Sequence, residues 1–310
     1  MHQFLKVLLI TLIIGCTLSC TKVSEKSTLS LPEGFDFADT FLHEANLGLY
    51  LGANAHLNTF LGIEDNISVE GVEILGHSFS KDVAVRAKIK EISKVSIDSV
   101  KKGTLPNLLG EHIKISEVGE YVALINDKSH WSKDVENYWA SPKLENRKMP
   151  SDLQDHIGYL PHKTSLEMQA VGYVRNANNL ASTLLPFDGN VAIEIDPVLD
   201  FLRAKIVIVA LYGEVDTIYW DQLKEKQNFS GIVAVTRSGY PGIITRFVCS
   251  RFFNALSFEE QEIDGHTWHT LEAEENTLMM AKCDGNMIYL IFPSTAENGR
   301  VLSNALDLGR

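Results

Sequence analysis

Two strand-like apolar segments on either side of a short polar stretch restrict the fold of this chain more than any other feature. The second segment has apolar residues at every other position: Val83, Val85, Ala87 and Ile89. Alternation with a period of two is typical of a β-strand with one buried face. The first segment, VEGVEIL at residues 69–75, ends just before the small and polar residues 76–82. Two strands joined this closely are expected to be antiparallel neighbours, so the pattern predicts a β-hairpin.

The order of predicted elements repeats on the two sides of a weakly patterned stretch. Residues 36–140 and residues 187–310 both follow the order β-α-β-β-α-β-β-α, although their residue identities match poorly. In the second unit, Asp284-Gly285 suits a tight hairpin turn. The repetition predicts an α+β fold, in which two tandem related units of mostly antiparallel sheet carry helices packed on one face.

Residues 141–186 separate the two units and are predicted to form a linker and a helix. The linker contains Pro142, Pro150 and Pro161. The next residues, TSLE at 164–167, have the spacing of a helix capping box. Apolar residues then recur at helical intervals: Leu166, Ala170, Val174, Ala177, Ala181 and Leu184. This pattern predicts a helix that ends before Pro186.

Two further helices are predicted from apolar residues at helical spacing. In the second unit the stripe consists of Ile244, Phe247, Val248, Phe252 and Leu256. In the first unit Trp131, Tyr138 and Trp139 share one helix face, because they are spaced seven and eight residues apart. Packing of these aromatic rings against a sheet is the preferred interpretation, and a ligand platform is the alternative.

Composition excludes some classes of partner. The chain has 310 residues and a formal net charge of −12 at pH 7. Nucleic-acid binding requires clustered lysine and arginine side chains, so no nucleic-acid partner is predicted for an acidic chain. No G-x-G-x-x-G follows a predicted strand and no P-loop occurs, so no cofactor is predicted.

The first twenty residues, MHQFLKVLLITLIIGCTLSC, determine the predicted compartment. Lys6 precedes an apolar segment at residues 7–14, which is too short to span a bilayer and is typical of a cleaved signal. Each of the two following cysteines comes after a small residue, in IIGC and in TLSC. This arrangement resembles the lipobox of bacterial lipoprotein signals, whose cysteine becomes lipidated. An ordinary secretory signal with two incidental cysteines is the alternative.

The lipoprotein resemblance implies a membrane anchor for the whole chain. Residues 1–19 would be the signal peptide, and residues 20–35 the lipidated cysteine with its polar tether. Cys20 is the preferred lipidation site, since the polar tether begins directly after it, and Cys16 is the alternative. The acyl chains would hold the protein on a membrane surface while the body of the chain stays in water.

Two cysteines, Cys249 and Cys283, lie beyond the signal segment. Outside the cytoplasm they are able to form one disulfide, and the alternative is that both are small buried apolar residues. Neither belongs to a C-x-x-C pair, so the spacing does not support a redox or zinc role.

The stretch GHSFS at residues 76–80 is one residue short of the G-x-S-x-G nucleophile elbow of α/β-hydrolases. That elbow requires a strand, a sharp turn at the serine and then a helix, whereas the residues after Ser80 alternate as a strand. A triad of Ser78, Asp196 and His266 is supported by chain order alone. We therefore predict that Ser78 lies in a hairpin turn, and we assign no catalytic residue.

The histidines do not predict a metal site. His266 and His269 are three residues apart in a predicted strand, so their side chains point to opposite faces. A metal ion needs several donors that converge from one side. No metal ligand is therefore assigned.

These observations predict a protein of the bacterial cell envelope, anchored to a membrane through its lipid, with the mature domain outside the cytoplasm. Its predicted role is non-enzymatic and is either structural or the binding of a partner protein, an apolar ligand or a cell-wall ligand. The alternative is an envelope serine hydrolase that uses Ser78 as its nucleophile.

Overall fold

The structure of the protein is a computed structural model. It describes residues 45, 47–52, 58, 61–64, 66–77, 82–102, 113–126, 130–140, 155–161, 164–175, 202–213, 229–255, 257–273, 276–306 and 308. Several predicted features lie outside these residues: the signal segment with Cys16 and Cys20, Ser78 and Asp196.

In the described part of the chain, twelve strands form one sheet, and every pair of neighbouring strands is antiparallel. The strands are β1 (Leu47–Gly52), β2 (Val69–His77), β3 (Asp82–Ile89), β4 (Ile113–Val118), β5 (Tyr121–Asn126), β6 (Glu167–Arg175), β7 (Ile206–Gly213), β8 (Phe229–Arg237), β9 (Glu259–Ile263), β10 (His266–Ala273), β11 (Asn276–Asp284) and β12 (Met287–Pro293). Their spatial order is β4-β5-β3-β2-β1-β6-β7-β8-β12-β11-β10-β9.

The helical elements are few and short compared with the sheet. They are a 3₁₀ turn (Ile92–Lys94), α1 (Ile97–Val100), α2 (His130–Ala140), α3 (Gly242–Ala255) and α4 (Ala296–Asn304). Helix α4 begins after Thr295, whose side-chain oxygen accepts a hydrogen bond from the backbone N–H of Asn298. The fold is therefore mostly antiparallel sheet with a small number of helices, as the sequence predicts at this coarser level.

Both predicted hairpins are confirmed. Strands β2 and β3 are antiparallel neighbours, with Ile74 opposite Val85 and His77 opposite Asp82. Strands β11 and β12 pair in the same way across the turn at Gly285, which has a φ of 58°. A positive φ of this kind costs glycine little, because glycine has no Cβ atom.

The helix predicted to begin near Leu166 is wrong over residues 167–175, which form strand β6. This strand pairs with β1 on one side and with β7 on the other. Both faces of this strand are covered, so Val171, Tyr173 and Val174 are all buried. The sequence of the strand therefore shows no alternation of apolar and polar residues. The side chain of Thr164 accepts a hydrogen bond from the backbone N–H of Leu166, two residues on, in a local turn.

The sheet carries a core on each of its faces. We call the face with Leu49 and Leu51 of β1 the front face, and the face with Tyr50 the back face. The front core contains Leu51, Val72, Val85, Leu124, Leu211, Ile232 and Phe292. The back core contains Tyr50, Tyr173, Ile208, Tyr212, Val233, Trp268, Tyr289 and Leu302.

The prediction that helices pack on one face is wrong. Helix α3 packs on the front face through Cys249 and Phe253, which contact Ile288 and its neighbours. Helix α2 packs on the back face through Trp131 and Val135, and α4 does so through Leu302. A strand offers two faces for burial, and this sheet is apolar on both, so it needs a cover on each side.

Candidate functional site

The surroundings of Ser78 differ from those of a nucleophile elbow. Ser78 itself lies outside the described residues, but the strands that flank it are described. The chain leaves β2 at His77 and re-enters the sheet at Asp82, its direct partner in β3. A strand therefore follows where the elbow requires a helix.

His266 and His269 lie three residues apart in β10, so their side chains point to opposite faces of the sheet and do not converge. The His269 ring packs on Phe253 of α3, with a centroid distance of 4.8 Å, while His266 is exposed. Burial lowers the pKa of His269, and the nearby Glu260 carboxylate partly opposes this. Within the described residues, no group of three histidine, cysteine or carboxylate side chains is placed to hold a metal ion.

Cys249 of α3 and Cys283 of β11 form a disulfide, with an S–S distance of 2.04 Å. The two residues are separated by 34 positions in the sequence. The bond fastens the middle of α3 to the front face of the sheet, beside the buried side chain of Phe253. Helix α3 therefore has a fixed orientation on the sheet.

The inward face of α3 is a narrow stripe with a four-residue spacing. Thr245, Cys249 and Phe253 are all buried. The Thr245 hydroxyl donates to the backbone carbonyl of Tyr240, at 3.0 Å, and so holds the first turn of the helix. Residues spaced four apart lie on one side of a helix, so only this narrow stripe faces the sheet, and residues on the other side of the helix face away from it.

The outward face of α3 carries large apolar side chains. Ile243 is 81% exposed, Phe247 is 63% exposed and Ile244 is 46% exposed. In the part of the chain that the structure describes, no other large apolar side chain is exposed in this way. The helical spacing of apolar residues predicted Ile244 and Phe247 on the packed stripe of this helix. That prediction is wrong, because the helix turns Thr245 and Cys249 toward the sheet instead.

Arginine is the one charged residue type in α3, at Arg246 and Arg251, and both side chains are exposed. The Arg251 guanidinium lies over the Phe247 ring, 5.4 Å from its centroid. We call Ile243, Ile244, Phe247 and the two arginines the apolar–arginine face of α3. It combines an apolar surface with positive charge on a chain that is strongly acidic overall.

The segment that leads into α3 is held firmly at its start. The Ser238 hydroxyl donates to the carbonyl of Leu202 and also accepts from the backbone N–H of Tyr240. The backbone of Gly242 lies against Gly285 of the β11–β12 hairpin, so closely that a Cβ atom at residue 242 would be 3.0 Å from the Gly285 carbonyl carbon. These contacts present the apolar–arginine face on a rigid support.

A buried ion pair lies on the back face of the sheet. Glu73 of β2 and Arg86 of β3 are cross-strand partners and form a buried ion pair. The Arg86 guanidinium also lies over the rings of Tyr121, at 4.9 Å, and Trp139, at 5.4 Å. A buried ion pair with stacked aromatic rings fastens α2 to the sheet, and we assign it a structural role.

The sequence alone did not predict the apolar–arginine face of α3 or the buried Glu73–Arg86 ion pair. The alternation through Val85 and Ala87 predicted a strand with one buried face, which implies that Arg86, between them, faces solvent. Helix α2 covers that face, so the charge is buried. The signal for the apolar–arginine face was the composition of α3, since a helix that is apolar nearly all round must be buried, or must meet a partner.

No described helix is both long enough and apolar enough to cross a membrane.

Comparison with known proteins does not assign the chain to a family. No family model matches the sequence, and no curated protein matches it. Among solved structures, crystal form I of TP0453 matches with a TM-score of 0.35 and 10% identity, over 85% of this chain and 94% of that chain. Crystal form III of TP0453 matches with a TM-score of 0.38 and 11% identity, over 84% and 95%. A likeness of this degree does not define the class of this protein.

Proposed function

We propose that this protein is a lipid-anchored protein of the bacterial cell envelope with a non-enzymatic binding role, and that the apolar–arginine face of α3 is its binding surface. The observation that carries the proposal is the exposure of Ile243, Ile244 and Phe247 together on a rigidly held helix. Exposed apolar side chains that cluster, instead of lying singly, are typical of interaction sites. The ligand class is a partner protein or an apolar ligand.

The lipid anchor is proposed from the signal segment. A lipidated Cys20 would leave the folded sheet in water, because one lipidated residue anchors the chain without embedding it. A surface such as α3 would then be available to a partner at the membrane. The hydrolase alternative gains no support from the surroundings of residue 78, since β3 follows there in place of a helix.

The two halves of the sheet are proposed to descend from one repeated unit. The supporting observation is the strand order, which is β1-β2-β3-β5-β4 in one half and β6-β7-β8-β12-β11 in the other. In each half the helical segment after the third strand packs on the front face, and the helix after the last strand packs on the back face. The repeat would thus begin at β6, earlier than residue 187.

The proposed repeat gives α3 a particular meaning. Its counterpart in the first half consists of the 3₁₀ turn and α1, of three and four residues, whereas α3 has 14 residues. The hairpin β9–β10 also has no counterpart among the described residues of the first half. The proposed binding surface is therefore an elaboration of one half, as expected for a feature added for function.

The anchor is tested by mass spectrometry of the N-terminal peptide from membrane fractions. We expect a mature chain that begins at Cys20 and carries acyl groups. Cys20→Ala should abolish the modification and release the protein from membranes, while Cys16→Ala should not. An unmodified N-terminal peptide would contradict the proposed anchor.

The binding surface is tested by replacing Ile243 and Phe247 with serine. Because both side chains are exposed, we expect the free energy of unfolding to change by no more than about 0.5 kcal/mol. Formaldehyde treatment of intact cells should give a cross-linked adduct with the wild-type protein, and the adduct should be lost in this variant. The matched control is Phe253→Ser on the inward face, which should destabilise the fold by about 3 kcal/mol or more. An adduct that persists in the Ile243/Phe247 variant would contradict the assignment.

A further inference from the structure

We infer that the partner of the apolar–arginine face is a protein whose docking surface is acidic as well as apolar. This inference rests on the proposed binding role of α3 and adds the chemistry of the partner. Its basis is the charge that surrounds the exposed apolar side chains.

Positive charge is concentrated on α3 and in the segment that leads into it. Arg246 and Arg251 lie on the helix, and Arg203 packs against Gly239 in the segment before it. Among the residues that the structure describes, none of these arginines forms an ion pair with a carboxylate. In a chain with 40 acidic and 28 basic residues, a group of arginines without internal ion pairs is available for external ones.

Aromatic rings restrict two of these arginine side chains before a partner binds. The Arg251 guanidinium stacks over Phe247, and that of Arg203 stacks over Tyr240 at 4.9 Å. Such stacking restricts both side chains, which reduces the entropy lost when a partner binds. Arginine and aromatic residues are also enriched among the residues that contribute most to protein–protein binding. Planar guanidinium groups bind carboxylates through paired hydrogen bonds, so aspartate and glutamate are the complementary side chains.

A protein partner fits these observations better than a bilayer does. Insertion of the Phe247 ring into hydrocarbon would draw the Arg251 guanidinium with it, or would break the stacking. The net charge of −12 also opposes close approach to anionic head groups.

A second copy of the chain fits less well too. A symmetric contact between two α3 faces would bring Arg246 and Arg251 toward the same arginines of the other copy. Like charges brought together at an interface oppose association.

The experiment uses the full-length anchored protein in intact cells, with the photoreactive residue p-benzoylphenylalanine in place of Phe247. The same residue in place of Lys133, an exposed position of α2, is the matched control. We expect illumination to link residue 247, but not residue 133, to one protein. The cross-linked peptide of that protein should contain more aspartate and glutamate than lysine and arginine. Arg246→Glu with Arg251→Glu should lower the yield roughly tenfold, while Arg246→Lys with Arg251→Lys should retain most of it.

Three results would overturn the acidic partner but leave the binding role intact: an adduct with lipid, an adduct with a second copy, or a yield that charge reversal does not change. Equal labelling from residues 247 and 133 would contradict the binding role itself. An unfolding midpoint that is the same for the charge-reversed variant and for the wild type shows that any loss of yield reflects binding rather than folding.

Discussion

Replacing Cys249 and Cys283 with serine is expected to lower the free energy of unfolding by about 4 kcal/mol, the effect of a cross-link that closes a loop of this length. The disulfide joins residues that are 34 positions apart, and it fastens α3 to β11. Without it, the unfolded chain regains the conformational freedom of that loop. Urea unfolding of the mature chain, followed by far-ultraviolet circular dichroism, measures the difference.

A reducing agent supplies the matched comparison for this prediction. Dithiothreitol should shift the unfolding midpoint of the wild-type chain to that of the serine variant, and should leave the variant itself unchanged. Equal midpoints for the oxidised wild type and the variant would show that packing of Phe253 and its neighbours, and not the covalent bond, holds α3 in place.

The second large effect is expected from Glu73→Gln, which should lower the free energy of unfolding by about 3–5 kcal/mol because it leaves the buried Arg86 charge without its carboxylate. The change removes charge and nearly preserves shape, so little of the loss comes from packing. Replacing both members of the pair, with Glu73→Leu and Arg86→Met, should recover most of the stability, since neither charge of the pair is then left without its partner.

Glu91→Gln is the matched control for this prediction. Glu91 pairs with Lys94 at 2.8 Å on the surface, and this lysine lowers the pKa of Glu91 through a hydrogen bond. An exposed pair contributes little, so this variant should unfold almost as the wild type does. If the double variant at residues 73 and 86 is no more stable than Glu73→Gln alone, the interactions of Arg86 with Tyr121 and Trp139 matter more than its charge.

Local patterns predicted those elements whose signal lies within a few residues. The β2–β3 hairpin followed from alternation around a polar turn, and the β11–β12 hairpin followed from Asp284-Gly285. Helices α2 and α3 followed from apolar residues at helical spacing. In each case the backbone conformation depends on neighbouring residues, so a single sequence contains the information.

The wrong predictions concern long-range packing. Strand β6 lies between two other strands and under cores on both faces, so its apolar residues lose the alternation that marks a strand. The covers on both faces of the sheet, and the burial of Arg86 beneath α2, depend on which elements meet in space. The exposed side of α3 could not be predicted for the same reason, because the sequence of an apolar helix does not determine which side packs on the sheet.

The cross-link between α3 and the sheet also determines how the protein would respond to a pulling force. A force applied to α3 by a bound partner would be transmitted through the Cys249–Cys283 bond directly to β11. This strand lies inside the sheet, hydrogen-bonded to β12 on one side and to β10 on the other. Detaching it requires both rows of hydrogen bonds to break, whereas a helix held by side-chain contacts alone could peel away one turn at a time. The proposed binding surface would therefore stay joined to the sheet under a load that could detach a helix held by side-chain packing alone.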